Sequence, residues 1–401
     1  MFLDFTNWPV SNNLNLLEVF FWVNSLYSLK YTGSSFISTY GTVMKRGVLY
    51  YRTRIKDANG KLVAIYAKTP EELYNMERKE FECLPVLTGK DIDRIVSKDI
   101  RQNIFEKYQK DMENNVRFVF PDEEDYPCRL KELYDKPYIL YYKGRLPRND
   151  VRSVAIVGSR RCSEYGRYAA REIAGILSEA GACIISGLAA GIDSEAHKGA
   201  LYKGGYTCGV LAGGVEKCYP AGNFNLYMDI QNRGGIISEY PGESITTPGM
   251  FPLRNRIISG LSDYVIVVEA GFRSGSLITA GTALEQNRTV YAVPGRITDV
   301  SSKGCNRLIA DGAMVVTDFE SLPGELGLSI PNYEKNIKND IVLARDEKML
   351  YSLLLDFTPK SLETLVNDSG MSPAEVLRSL TCLEIKGIIR EISKNFYVRI
   401  Q

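Results

Sequence analysis

The feature that most constrains the fold is a short apolar run that ends in glycine. Four apolar residues, Val154 to Val157, are followed by Gly158-Ser159-Arg160, and apolar residues then recur at spacings of three and four from Ala169 onward. This pattern predicts a strand, a tight turn and a helix. In such a unit the backbone N–H groups at the helix entry form an anion site, which a phosphate can approach closely beside glycine. Arg160 adds a forked donor.

The same alternation continues to about residue 318. Further short apolar runs predict strands that begin at Cys183, Thr207, Gly235, Tyr264, Thr289 and Met314. Such runs, separated by helical patterns, indicate a mostly parallel sheet that is covered on both faces. We therefore predict an α/β fold with an extended Rossmann-like, doubly wound sheet. Ligands of such sheets bind outside the carboxyl ends of the strands, so we expect the site at the Gly-, Ser-, Arg- and Asn-containing turns there.

The chain is predicted to have four parts. Residues 1–115 are predicted to form a mainly helical N-terminal domain, with a β-hairpin inserted around Asn59-Gly60, a strong hairpin signal. Residues 116–325 are predicted to form the α/β core, including an entry connector of strand, turn, helix and strand. Residues 326–345 are predicted to be a linker, because Pro and Gly punctuate a polar stretch. Residues 346–401 have three helical patterns and a terminal hairpin, which predicts a winged helix-turn-helix.

The two end regions leave their roles open. A helix-Gly-helix pattern between Leu84 and Ile100 could hold a DNA backbone, although a plain helical subdomain is favoured. The presumed recognition helix of the winged helix carries Arg378 and Lys386 against Glu375 and Glu384. DNA readout usually needs a more basic face. A protein contact or a weak DNA contact is therefore expected of this helix.

Charge and cysteine content limit the kinds of site that the chain can hold. The formal net charge is +1, and residues 151–325 contain 16 Lys or Arg against 17 Asp or Glu. A polyanion site must therefore be a local cluster of arginines. Eight cysteines without a Cys-x-x-Cys pair and a single histidine favour free thiols in a reducing cytosol over a zinc site. Because no uncharged run reaches about 18 residues, a soluble, cytoplasmic protein is expected.

Several longer motifs occur in a fixed order between residues 157 and 295. They are Val157-Gly158-Ser159-Arg160, Ser186-Gly187-x-Ala189-x-Gly191, Tyr219-Pro220-x-x-Asn223, Ser238-Glu239-Tyr240-Pro241, Phe251-Pro252-x-Arg254-Asn255-Arg256, Ser274-Gly275-Ser276 and Val293-Pro294-Gly295. In these motifs, and in the connector from Phe120 to Gly144, the chain resembles the bacterial DNA-processing protein A (DprA/Smf) family. The N-terminal region differs more, because the family usually begins with a compact sterile-alpha-motif-like bundle.

The resemblance implies a single-stranded DNA-binding protein of natural transformation, or competence. Members of this family protect incoming DNA, load the RecA recombinase for DNA recombination, and act as homodimers built through the central domain. They have no known catalytic step, so neither a catalytic residue nor a cofactor is expected here.

The predicted DNA contacts are groups that bind a sugar-phosphate backbone without reading sequence. Glycine N–H groups and serine hydroxyls would contact phosphates, and arginines would supply charge. For Arg256 the alternative is a salt bridge to a core acid such as Glu269, and the two asparagines could instead cap turns. The predicted residues are Gly158, Ser159, Arg160, Gly187, Asn223, Arg254, Asn255, Arg256, Ser274, Gly275 and Ser276.

Other residues near these turns are assigned structural roles. Asp193 is expected to N-cap the helix that follows it, and Glu269 to pair with an arginine. His197 is expected to pack against its helix, and Tyr219 and Phe224 to pack in the core rather than stack on bases.

Other functional classes compete with strand binding. A nucleotide-handling hydrolase of the lysine-decarboxylase-like phosphoribohydrolase type would use a Gly-Gly-x-Gly-Thr turn and a nearby Glu, which residues 274–279 match only in part. A dinucleotide oxidoreductase is less favoured, because Gly-x-Gly-x-x-Gly is absent after the first strand. An adaptor that binds only proteins would leave three arginines at ligand-competent positions without a purpose.

Overall fold

The computed structural model describes residues 43–45, 48–56, 62–67, 77–82, 89–97, 106–107, 109–137, 139–329, 343–354 and 357–399. The described residues form two compact units. The first unit takes its residues from Met1–Leu146, Leu211–Cys218 and Gly235–Ile257. The second unit takes its residues from Pro147–Val210, Tyr219–Gly234 and Ile258–Gln401.

The described elements follow each other in an order close to the predicted one. The strands are β1 Val43–Lys45, β2 Val48–Lys56, β3 Leu62–Ala67, β4 Arg117–Val119, β5 Leu140–Gly144, β6 Ser153–Val157, β7 Cys183–Ser186, β8 Thr207–Val210, β9 Gly235–Ser238, β10 Tyr264–Val267, β11 Thr289–Ala292, β12 Met314–Val315, β13 Lys360–Ser361, β14 Ile389–Ser393 and β15 Phe396–Arg399. The helices are α1 Arg78–Glu82, α2 Gly89–Val96, α3 Cys128–Lys131, α4 Glu164–Glu179, α5 Ile192–Tyr202, α6 Phe224–Arg233, α7 Met250–Gly260, α8 Gly275–Glu285, α9 Lys303–Ala310, α10 Leu322–Glu325, α11 Arg345–Leu353, α12 Leu362–Ser369 and α13 Pro373–Ile385.

The main sheet has nine strands and is mostly parallel, which confirms the predicted fold class. The second unit contributes six strands in the order β12-β11-β10-β6-β7-β8, and every pairing among them is parallel. In the register of β10 with β6, Val267 lies opposite Val157, so these two strands end side by side. The first unit contributes β9, β5 and β4, which pair in antiparallel fashion.

The parallel strands β6, β7, β8 and β10 are almost entirely buried and mostly apolar. All five residues of β6 are buried. Ile173 and Leu177 of α4 join Ile156 and Ile184 of the sheet in one buried cluster. Burial of side chains of this size contributes about 1.5–3 kcal/mol each. This core fixes the carboxyl ends of the strands, from which the candidate site is built.

The N-terminal predictions can be checked only in part. Strands β2 and β3 pair in antiparallel fashion, with Tyr51 opposite Ala67, as expected for the predicted hairpin. Its Asn59-Gly60 turn lies outside the described residues, as does Leu14–Leu29, an apolar stretch that predicts a helix. The connector has the predicted strand, turn, helix and strand as β4, α3 and β5.

The predicted winged helix is present near the C-terminus. Helices α11, α12 and α13 pack around a small core of their own, and β14 pairs with β15. A short additional strand, β13, pairs with the other edge of β15. Helix α13 begins with a capping box, in which Ser372 accepts from the Glu375 N–H and the Glu375 side chain accepts from the Ser372 N–H. Within the described ranges, no helix is long and apolar enough to cross a membrane.

Candidate nucleic-acid interface

The turn Gly158-Ser159-Arg160 lies where two neighbouring strands of the second unit end. Ser159 donates its N–H to the Glu269 carbonyl at 2.7 Å, which joins the loop after β6 to the loop after β10. The Ser159 carbonyl accepts from the Ile192 N–H at 3.2 Å, so the entry of α5 packs onto the same turn. The Arg160 side chain is exposed. The turn therefore lies where the sequence predicted it, with Arg160 exposed. The contact of Arg160 with DNA stays a prediction.

The entry of α5 differs from the expected one. Helix α5 begins at Ile192, and its N-cap residue is Gly191 with φ of 79°, a conformation that favours glycine. A Cβ at Gly191 would also collide with the backbone of Ser159. The prediction that Asp193 is the N-cap residue is wrong, because Asp193 already lies within the helix. Its carboxylate accepts instead from the Gly187 N–H at 3.1 Å, a group predicted to face phosphate.

The entry of α4 holds an internal carboxylate. Glu269 is 4% exposed, and both of its carboxylate oxygens accept from the Ser163 N–H at 3.1 Å. The Ser163 hydroxyl donates to Glu269 Oε2 at 2.5 Å and accepts from the Gly166 N–H at 3.0 Å. A Cβ at Gly166 would collide with the same carboxylate. The prediction that Glu269 pairs with an arginine is wrong, because β10 ends beside β6 and places Glu269 at the first turn of α4.

This carboxylate changes what the α4 entry can bind. A helix N-terminus favours negative charge, and here Glu269 supplies that charge from within the protein. A nucleotide phosphate at the same place would meet a buried negative charge. The Glu269 carboxylate therefore occupies the anion site predicted at this entry. Exposed groups around the entry are better placed to contact a polyanion.

The entry of α8 is more open. Its N-cap residue Ser274 accepts from the Ser276 N–H at 3.4 Å, and the two hydroxyls lie 2.8 Å apart. Ser276 is 7% exposed, whereas Gly275 is exposed and no atom lies within 4 Å of where its Cβ would be. Arg273, which precedes the cap, is exposed as well. This entry combines helix N–H groups, hydroxyls and an arginine at the surface.

Asn223 ties two loops of the second unit together. Its side-chain amide donates to the Leu188 carbonyl at 2.8 Å and to Ser194 Oγ at 2.9 Å. Leu188 follows β7 and has φ of 56°, a strained value for a leucine. Asn223 thus has a structural role, similar to the turn cap that was the alternative to DNA contact. Its contact with DNA stays a prediction.

The arginine pair of the first unit is buried. Arg254 is 6% exposed, and its Nε donates to Asn255 Oδ1 at 3.2 Å. Arg256 is 9% exposed; its Nη2 donates to Glu239 at 2.6 and 2.7 Å, and its Nε lies 3.3 Å from Asp135. The alternative predicted for Arg256, a salt bridge to a core acid, is therefore present, with Glu239 in the place expected for Glu269.

The remaining predicted side chains divide into buried and exposed. His197 is fully buried, and its Nδ1 lies 2.7 Å from Thr207 Oγ1, which confirms the packing expected of it. Because the Thr207 hydroxyl donates to the Ile184 carbonyl, Nδ1 must be the donor to Thr207. Tyr219 and Phe224 are 50% and 56% exposed, so the prediction that they pack in the core is wrong.

A buried acid on α5, surrounded by two partly exposed cations, was not predicted from the sequence. Glu195 is 4% exposed along its side chain and accepts from Lys198 Nζ at 2.9 Å and from Arg171 Nε at 3.0 Å. Burial alone would raise the pKa of Glu195, but Lys198 and Arg171 hold this pKa below its usual value. The i,i+3 spacing of Glu195 and Lys198 was visible in the sequence. The approach of Arg171 from α4 was not.

The described cysteines form no disulfide bond. Within the parts that the structure describes, no group of three or more His, Cys, Asp or Glu could hold a metal ion.

Comparison with protein families decides the relationship. The family model of DNA recombination-mediator protein A matches residues 117–327, which is more than half of the chain, and the model of the DprA winged helix domain matches residues 340–393. The chain belongs to the DprA family. The first match contains every predicted DNA contact, from Gly158 to Ser276.

Individual members of the DprA family agree with this assignment. Protein Smf from Synechocystis is 39% identical over 255 residues, which are 63% of this chain and 64% of that protein. DNA processing protein DprA from Streptococcus pneumoniae is 45% identical over 205 residues, or 51% of this chain and 72% of the relative. An X-ray structure of the pneumococcal protein matches with a TM-score of 0.52 at 36% identity, and covers 63% of this chain and 92% of that one.

Proposed function

We propose that this protein binds single-stranded DNA by its sugar-phosphate backbone and delivers the strand to the RecA recombinase. The proposal rests on one feature of the second unit of this DprA family member. Exposed guanidinium groups, Arg160 and Arg273, follow the neighbouring strands β6 and β10, while Glu269 fills the α4 entry. Phosphates of a polymer can be held at such a rim without entering a closed nucleotide pocket.

The charge of the core supports a small number of phosphate contacts. Residues 151–325 contain nearly equal numbers of basic and acidic residues, so a broad basic surface is not available. Affinity must then come from a few well-placed arginines, N–H groups and hydroxyls, together with base stacking. Such a site tolerates any sequence, as a protein that handles incoming strands requires.

The predicted DNA contacts differ in how exposed they are and in whether their donor groups already have internal partners. Arg160 and Gly275, which are exposed, and the part-exposed Ser274 are proposed as primary contacts. Gly158 would contribute backbone near Arg160. Contact by Ser159 is proposed as secondary, because its N–H donates to the Glu269 carbonyl. Contacts by Gly187, Asn223 and Arg256 are proposed as secondary, because their donors already hold internal partners. Arg254 and Ser276 are proposed contacts that the strand would have to reach at buried positions, and Asn255 is a proposed contact at a half-buried one.

Further parts of the proposal follow from the family. We propose a cytoplasmic homodimer, built through the central domain, that protects incoming DNA and loads RecA in natural transformation and recombination. No catalytic step is proposed. The alternative, a nucleotide-handling hydrolase, is weakened by the Glu269 carboxylate at the α4 entry, since a nucleotide phosphate bound there would be repelled.

A titration separates the two functions. Fluorescently labelled oligothymidine is titrated with the protein and compared with a duplex of the same length, while base release from nucleoside monophosphates is followed in parallel. The proposal predicts tighter binding of the single strand, affinity that rises with strand length, and no base release. Equal affinity for the duplex, or release of base, would overturn it.

A further inference from the structure

A patch of exposed apolar side chains lies at the carboxyl ends of β10 and β11. Phe272 is 70% exposed, Ile297 86% and Val300 71%. The segments that carry them are close together: a Cβ on Gly271 would lie 3.5 Å from the Val300 carbonyl, and the Gly304 N–H of α9 donates to the Ala270 carbonyl at 2.7 Å. We call Phe272, Arg273, Arg296, Ile297 and Val300 the Phe272 surface. Apolar side chains that cluster on a soluble protein usually mark a binding surface.

The charge around this patch favours a polyanion. Arg273 and Arg296 are exposed in these two loops and Lys303 at the start of α9, against one exposed acid, Asp299. Arg296 also donates to the Thr358 hydroxyl at 3.2 Å. This local excess of positive charge contrasts with the near-neutral core. An exposed aromatic ring next to arginines is the combination that single-stranded nucleic acid uses, because bases stack on the ring while phosphates meet the cations.

The Phe272 surface adjoins the proposed phosphate contacts along the chain. Phe272 is three residues beyond Glu269, whose carbonyl accepts from the Ser159 N–H, and it precedes the cap residue Ser274 by two positions. A strand held at Arg160 and at the α8 entry would therefore pass close to the Phe272 ring.

We propose that Phe272 stacks a nucleobase of the single strand, with Ile297 and Val300 as the apolar floor beside it. This inference rests on the proposed function and deepens it, because it assigns the base side of the strand to a surface that the family motifs do not include. Phosphate contacts by Arg273 and Arg296 would hold the backbone on either side of the stacked base.

The test uses two substitutions at Phe272 and a matched control. Phe272→Ala should weaken oligothymidine binding by about tenfold, a loss typical of one stacked base, while its affinity for inorganic polyphosphate, which has no bases, stays unchanged. Phe272→Trp should bind as the wild type, and oligothymidine should quench the fluorescence of the new indole whereas polyphosphate should not. Tyr202→Ala removes another aromatic ring of the second unit, 84% exposed, and should change neither affinity.

The outcomes are distinguishable. Unchanged oligothymidine affinity in Phe272→Ala, or no quenching in Phe272→Trp at saturation, would overturn the inference and leave the proposed function standing. Unchanged affinity together with a lower molecular mass in solution would overturn it in favour of an interface between two copies. If the wild type itself does not bind oligothymidine, the proposed function fails first.

Discussion

At the residue scale, the buried carboxylates show how this protein uses charge. Glu269 accepts from a helix cap, Glu195 from cations of α4 and α5, and Glu239 from Arg256. Most of their partners are far away in the sequence, although Lys198 lies only three residues after Glu195. The sequence could identify Arg160 as a surface donor because it follows a strand directly. It could not give the partner of Arg256, because that depends on which distant acid the fold brings near.

A fourth buried acid, Asp111 in the first unit, makes stability depend on pH. It is 7% exposed and its carboxylate accepts from the Gly242 N–H at 3.2 Å. Burial, and next the nearby Glu216, raise the pKa of Asp111 to about 6. A raised carboxyl pKa means that the folded state binds the proton more tightly, so this group lowers stability as the pH rises through 6.

Asp111→Asn tests this pH dependence. The amide can still accept from Gly242 and carries no charge, so the variant should lose less unfolding free energy than the wild type between pH 5 and pH 7.5. Urea unfolding at the two pH values measures the difference. The same pH dependence in both proteins would contradict the raised pKa of Asp111.

At the scale of elements, the strands of the second unit were predictable because each is a continuous apolar run. The predicted first residues of β7, β8, β10, β11 and β12 are the observed ones. The exact start of α5 was not predictable, because the backbone of Ser159 requires glycine at position 191 and so sets where the helix begins. The sequence also could not show that Glu269 occupies the α4 entry, since Glu269 follows β10, a strand distant from α4 in the sequence.

The caps of α4 and α8 should differ in strength. Ser274→Ala removes an N-cap hydroxyl and should cost about 1 kcal/mol of unfolding free energy. Ser163→Ala removes a cap that also donates to the buried Glu269 carboxylate. Since a hydrogen bond to a charged group is worth about 1.5–3 kcal/mol, its cost should be about twice as large. Urea unfolding of both variants compares them, and equal costs would argue against a structural role for Glu269 at the α4 entry.

At the scale of the whole molecule, the winged helix packs on α4 within the second unit. The Phe357 ring lies 5.5 Å from that of Tyr165 and 5.1 Å from that of Tyr168, and Arg390 pairs with Glu164 at 2.8 Å. A cavity of about 320 Å³ lies along this contact. The winged-helix segment contacts the first turns of α4 and, through Thr358, the Arg296 side chain at 3.2 Å. The hydrogen bonds that hold the Arg160 turn, to Glu269 and Ile192, come from the α/β core, so the winged helix is not needed to form that turn.

Removal of residues 346–401 should therefore leave strand binding in place. We expect oligothymidine affinity to stay within about threefold of the wild type, equivalent to less than about 1 kcal/mol. Fluorescence anisotropy of the truncated protein measures this, with circular dichroism to verify that the core is folded. Loss of most of the affinity would move the strand site into the winged helix.

The most direct test of strand binding at the rim is the salt dependence of oligothymidine affinity in the wild type and in Arg160→Ala. Each phosphate contact to a single strand contributes about 0.7 to the slope of log affinity against log salt. Arg160→Ala should bind more weakly and lose about 0.7 of that slope. Arg148→Ala, an exposed arginine ahead of β6 that pairs with Asp150, should behave as the wild type. Unchanged affinity and slope in Arg160→Ala would contradict the account.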